Sequence, residues 1–310
     1  MKNWIQIFIF VVLSISLFSC NNARQKRLAA EPSKSEYTIP KPPPALQGEA
    51  ARTYMLDNMW KEFDFADTLQ LSSQNDNVIA QAFVMYVGML PQDGAAQYMS
   101  QLMQRCAVSK QMLGYFLTLA ERVLHDPNSP MRDDEKYIPV LEVVLASGWL
   151  DEYERLPYED DLRIAMQNRV GRKANDFSYT LASGKSGRLY DIKSEYTIIF
   201  ISNPDCPMCR GVREQILQSE VLSDMVESGR LKILVLYPDE DLALWREHLG
   251  DYPKAWINAY DKGGVITRQR LYDLKAIPAL YLLDSDKRVL VKDSTDVPYI
   301  ENIIAHNGNV

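Results

Sequence analysis

The chain carries four cysteines, Cys20, Cys106, Cys206 and Cys209, and two of them stand three positions apart in the stretch DCPMCRGVREQIL. On a helix that spacing gives a Cα separation of ~5 Å. A disulfide needs roughly 4.4–6.8 Å, so a bond between Cys206 and Cys209 can form and break without rebuilding the backbone. A purely structural bond at this spacing would close so small a loop that it would constrain the unfolded chain little. The chemistry suggested is thiol–disulfide exchange. At a helix N-terminus, unpaired N–H groups and the positive end of the dipole favour a thiolate, and cysteine pKa values fall from ~8.5 to ~3.5–7.5 in such places. Cys206, the outer thiol, is expected to be the nucleophile, and Cys209, one turn deeper, the resolving thiol. Pro207 suits the first turn, where its missing N–H has no intrahelical partner to lose. Met208 offers an apolar contact to a docking partner.

Two other uses of thiols fit the sequence less well. One Cys-x-x-Cys supplies two ligands where structural zinc takes four, and His125, His248 and His306 are isolated, so no metal site is expected. Cys106 lies among Leu102, Met103 and Leu113 at helical spacing and reads as a small core hydrophobe rather than a third redox thiol.

The elements that must position the pair follow from periodicity. EYTIIFIS (195–202) reads as a buried strand, with a helix after it over 206–217. Further strands are expected at 176–181, 231–237 and 278–284, the last with a hairpin partner over 288–293. Residues 239–248 and 268–274 are helical candidates, and Ile300, Ile303 and Ile304 fit a closing helix. Strands alternating with helices imply a mixed sheet flanked by helices, with chemistry at the carboxyl ends of its strands. Before Gly171 the period is helical throughout. Val78, Ile79, Ala82, Phe83, Tyr86, Val87 and Leu90 share one face, and Leu113, Phe116, Leu117 and Ala120 share another. The expected fold class is thus α+β in two domains, an all-α domain over 52–172 and an α/β domain with a mixed central sheet over 173–310.

The strand, the Cys-Pro-Met-Cys helix start and a later Ala276-Ile277-Pro278-Ala279 before another strand resemble the thioredoxin superfamily over about residues 174–304. The resemblance implies a thiol–disulfide oxidoreductase. It also implies that Ile277–Pro278 is a cis peptide beside the cysteines, and that the backbone of Ile277 pairs with an incoming peptide. The preceding region, with DPNSPMRDDEKYIPVLE, resembles a helical domain of unknown function. That domain precedes thioredoxin-like modules in envelope lipoproteins of anaerobic Gram-negative bacteria. Two departures stand out. Many relatives carry a buried acid on the strand beneath the cysteines, whereas TIIFIS has none and leaves the proton acceptor unnamed. Peroxidatic relatives place Pro and Thr ahead of the nucleophile, where this chain has Ile199 and Asn203, which argues against peroxide as substrate.

Residues 1–20 have the layout of a signal peptide, with Lys2 followed by an apolar run. Leu17-Phe18-Ser19-Cys20 resembles the bacterial lipoprotein motif, which implies lipidation of Cys20. Residues 21–51 are polar and proline-bearing and read as an extended tether. The net charge of −7 gives no footprint for nucleic acid. The expected protein is a lipid-anchored, periplasm-facing envelope protein with no cofactor beyond a redox-active Cys206–Cys209 disulfide. Its partners are expected to be protein thiols or disulfides, an electron donor or acceptor, and the membrane through the anchor. The competing reading is a partner-binding lipoprotein whose cysteines form a static bond.

Overall fold

The structure is a computed structural model and describes residues 37–71 and 76–307. The signal peptide, Cys20 and the first half of the tether lie outside the described residues.

Six helices form the N-terminal module: α1 (Gly48–Asn58), α2 (Asp76–Met89), α3 (Ala95–Cys106), α4 (Lys110–Ala120), α5 (Asp134–Ala146) and α6 (Glu152–Ala165). A π-helical turn, Glu121–His125, follows α4. Several starts carry side-chain caps. Ser109 Oγ accepts from the Met112 N–H, and Asp151 and Glu154 form a reciprocal capping box. The interior is aromatic: Trp60, Phe63, Phe65, Tyr86 and Phe116 meet at tilted or edge-on angles with centroids 4.7–6.4 Å apart. Cys106 is fully buried in this core, and burial pushes its thiol well above the ordinary range. The packed body starts earlier than composition indicated. Tyr37 is buried, stacks on Trp60 at 5.8 Å, and donates through its hydroxyl to the Met59 carbonyl at 2.7 Å. Residues 37–51 therefore belong to the module and not to a tether, because one aromatic anchor outweighs the prolines around it.

The C-terminal module is a seven-stranded mixed sheet, in the order β2-β1-β5-β4-β3-β6-β7. The strands are β1 (Ser178–Leu181), β2 (Ser186–Arg188), β3 (Tyr196–Ile201), β4 (Leu231–Tyr237), β5 (Ile257–Tyr260), β6 (Ala279–Leu283) and β7 (Val289–Ser294). The helices are α7 (Pro207–Gln218), α8 (Glu220–Glu227), α9 (Leu242–Glu247), α10 (Val265–Gln269) and α11 (Val297–Asn307). β3, β4 and β5 run parallel, and β1, β6 and β7 are antiparallel to their neighbours. Strand alternation sorts the core into two layers. Ile198, Phe200, Ile233, Val235, Leu280 and Leu282 face α7, α8 and α11. Ile199, Ile201, Leu234, Leu236, Tyr281 and Leu283 face the opposite side, where α10 contributes Ile266. The helical candidate over 268–274 is corrected: α10 ends at Gln269, Arg270 takes the left-handed region at φ 47°, and the chain then runs as a loop into β6.

The boundary near residue 172 is no free linker. Val170 bridges Val289, and Lys173 bridges Arg288. The Gly171 N–H donates to the Val289 carbonyl, the Val289 N–H to the Arg172 carbonyl, and the Ala174 N–H to the Lys287 carbonyl, all at 2.8–2.9 Å.

Candidate active site

The carboxyl end of the central strand β3 delivers the chain into a turn, Asn203 to Asp205, and then into α7. Cys206 is the N-cap of that helix, extended at φ −89° and ψ 112°, and its sulfur accepts from the Cys209 N–H at 3.1 Å. One of the orphan donors of the helix's first turn, the Cys209 N–H, is thus aimed at Sγ of Cys206. Pro207 opens the helix. Met208 is 66% exposed, its thioether facing solvent beside the nucleophile position. Cys206 is half-buried, and Cys209, one turn further, is only 2% exposed against Phe200 and Val212. Both are thiols.

Across the site lies the end of the loop that follows α10. Ile277–Pro278 is a cis peptide, and the Cys206 Sγ donates to the Ile277 carbonyl at 3.7 Å. The structure therefore brings Cys206, Pro207, Met208, Cys209, Ile277 and Pro278 to one place, from segments 71 residues apart.

Among the described residues, no carboxylate acts on the inner cysteine. Phe200, on β3, fills the core below Cys209. Burial pushes the Cys209 thiol up to about 12, and its hydrogen bond with the Cys206 sulfur pushes the same way. Two donors oppose them, the Asn203 backbone N–H and the Ser202 hydroxyl. Ser202 is itself buried, and its Oγ lies 3.1 Å from the Tyr252 hydroxyl. The Arg213 guanidinium sits 5.2 Å over the Tyr252 ring and pairs with Asp251 at 3.3 Å, and His248 Nδ1 meets the same carboxylate at 3.0 Å. A polar path of hydroxyls thus runs from the inner thiol to a surface cation. Ser202, Arg213 and Tyr252 were not legible as site residues. Ser202 looks like the tip of a strand, and Tyr252 lies far along the chain with no characteristic spacing.

Among protein families, a domain of unknown function, DUF5106, matches residues 18–168. Among solved structures, a thioredoxin-like protein from Bacteroides caccae is 39% identical with a TM-score of 0.82, and the match covers 88% of this chain and all of that one. The C-terminal domain of an uncharacterized protein from Bacteroides fragilis is 46% identical, with a TM-score of 0.43 over 44% of this chain and 98% of that one. The thioredoxin domain of a thiol-disulfide oxidoreductase from Bacteroides vulgatus is 18% identical, with a TM-score of 0.40 over 45% of this chain and 97% of that one. No curated protein matches.

Proposed function

The chain belongs to the thioredoxin superfamily, as a thioredoxin-like protein with a helical DUF5106 domain at its N-terminus, and on that premise we propose that it exchanges disulfides with protein thiols through Cys206 and Cys209. The observation that carries this reading is the pairing of a half-exposed Cys206 sulfur with the Cys209 N–H at 3.1 Å, beside the Ile277 carbonyl. In the proposed cycle the Cys206 thiolate attacks a sulfur of the substrate disulfide. A Cys206–substrate bond forms, the substrate S–S bond breaks, and the departing thiolate takes up a proton. Cys209 then gives up its proton and attacks Cys206. The Cys206–Cys209 disulfide forms and the second substrate thiol leaves. Two electrons have passed from the protein dithiol to the substrate, and the reverse sequence oxidises a substrate dithiol.

Met208 and Pro207 would form one lip of the docking groove, and the backbone at Ile277, held by Pro278, the other. An extended peptide pairing with that backbone would gain main-chain hydrogen bonds without sequence preference. The reading includes lipidation at Cys20 and a periplasm-facing place in the cell envelope. It needs no cofactor beyond the protein's own disulfide, and its partners are protein thiols and an electron donor or acceptor.

Cys209→Ser removes the resolving sulfur. In cells it should accumulate disulfide-linked partners attached through Cys206, which appear on non-reducing gels and vanish in Cys206→Ser/Cys209→Ser. A folded, expressed Cys209→Ser protein that traps nothing, together with a dithiol that fails to equilibrate with glutathione buffers, would sink the proposal and leave a static bond.

A further inference from the structure

The docking edge is reached through residues 270–277, a loop with no sheet ladder or helix to fix it. Its own module holds it through Tyr272, buried in the sheet core with its hydroxyl on the Asn175 carbonyl, and through the Leu271 N–H on the Ile266 carbonyl. The rest of what fixes it comes largely from the other module. Arg270 pairs with Asp160 in the C-terminal half of α6. The Leu271 carbonyl accepts from Asn168 Nδ2 at 2.8 Å, and from Asn175 Nδ2 at the same distance. Asp273 pairs with Arg132 at 2.8 Å. Lys275 Nζ donates to Asp161 Oδ1 at 2.9 Å and to His125 Nε2 at 2.6 Å. Two residues past Lys275 is Ile277, whose carbonyl meets the Cys206 sulfur.

We infer that the helical module is the positioning element of the docking edge: Asp161 and His125, with Arg132 behind them, hold the 270–275 loop so that Ile277 presents its backbone to a substrate beside Cys206. This rests on the oxidoreductase reading above and assigns the helical module a part in it.

The ties differ in weight. Arg132 and Asp273 keep only 15% and 6% of their side chains exposed, so that pair is screened little, and removing one partner would strand a buried charge. Arg132 also pairs with Asp293 at 2.6 Å, which makes it a hub between the loop and β7. The Arg270–Asp160 pair is well exposed and counts for less. Lys275 is intermediate and lies nearest the edge. Its second partner is arranged as an acceptor. His125 stacks on Tyr137 at 4.6 Å, and burial, then the Lys275 ammonium, holds the imidazole below its ordinary pKa. Because an ammonium can only donate, the 2.6 Å contact makes Nε2 of that ring the acceptor. The π-helical turn Glu121–His125 places that ring at the interface, in a distortion that recurs at functional positions.

A substrate that docks by main-chain pairing depends on where the edge lies, because a displaced edge loses main-chain hydrogen bonds to the bound peptide. A small disulfide that needs only the Cys206 sulfur does not. The full-length protein, pre-reduced, is therefore mixed with insulin, whose bridges must dock, and separately with 5,5′-dithiobis(2-nitrobenzoate). Lys275→Met removes both ties at once. Its half-saturating insulin concentration should rise about five-fold, as expected for losing a part-exposed ionic contact. The rate at saturation and the nitrobenzoate rate should stay within about two-fold, and Lys275→Arg, which still reaches Asp161, should restore the insulin value. Asp161→Asn serves as a second variant, and hydrogen exchange across 271–281 should quicken in both. A Lys275→Met protein that matches wild type on insulin, or loses both probes in equal measure, overturns the inference. A wild-type protein inert to both probes would instead sink the oxidoreductase reading. Hydrogen exchange unchanged by either substitution would then still refute the clamp.

Discussion

Ser202→Ala tests how the inner thiol is made reactive. Cys209 holds its proton with a pKa of about 12, yet it must act as a thiolate to release a substrate from Cys206. With Phe200 where an acid could stand, the stabilisation available to that thiolate is the pair of donors Ser202 and Asn203, the first backed by Tyr252. A hydrogen bond to a charged group is worth about 1.5–3 kcal/mol. At 1.36 kcal/mol per unit, losing Ser202 should raise the Cys209 pKa by about one to two units. The thiolate fraction at fixed pH then falls about 10- to 100-fold, but a more basic thiolate is a better nucleophile, with a Brønsted slope of about 0.4–0.5. That recovers about 2.5- to 10-fold, so the net slowing expected is about 3- to 16-fold. The assay follows the mixed disulfide on Cys206 by acid quench, alkylation and mass measurement after mixing reduced protein with excess disulfide. Formation should be little changed, and decay should slow by that factor. Decay at the wild-type rate in Ser202→Ala, with the fold intact, would show that the hydroxyl does not act on Cys209.

The same thiol predicts a pH profile: with burial holding the Cys209 proton, resolution should quicken about ten-fold per pH unit through the neutral range. Because the folded protein keeps that proton longer than the unfolded chain, stability should fall as pH rises from about 9 to about 12, and Cys209→Ser should remove that part of the fall, read by urea denaturation. Asp293 is raised to about 6, first by burial, with Asp273 and Asp134 adding to it and Arg132 opposing. A raised carboxyl is neutral in the folded state below that value, so its contribution is full below about pH 4 and is lost as pH climbs through 6. The loss should be on the order of 3 kcal/mol and absent from the stability profile of Asp293→Asn. Among Cys106, Cys206 and Cys209, iodoacetamide should modify Cys206 far faster than the buried two, and Cys106→Ser should cost about 1–3 kcal/mol by placing a hydroxyl in the aromatic core.

What could be read from the sequence was whatever the chain repeats locally. β6 is an unbroken apolar run, and β3 and β4 are interrupted only by Thr197 and Lys232, because both faces of these strands are covered, and the Cys-x-x-Cys sits where such a strand hands over to a helix. β2, with the sequence SGR, and β5, with INAY, were missed because they are short and only part-buried. α8 escaped for a similar reason, since it buries only two residues. Contacts between modules had no local trace at all. Arg132 and Asp273 are 141 positions apart, and nothing in charge pattern or spacing announces that they meet. Tyr37 shows the converse limit: composition describes an average over a segment, and one side chain seated on Trp60 decides where order begins.

Between α6 and β1 the chain has no slack. Residues 170–174 are laced to 287–289, so the place where a joint would bend is itself a strip of sheet. Swinging one module away from the other would mean unzipping that strip, an opening of the kind reached by local unfolding rather than by hinge motion. Load applied to the helices therefore arrives at β7 and, through its pairing, at β6, the strand that begins at the lip of the thiol groove. The protein is built as a handle fused to a blade.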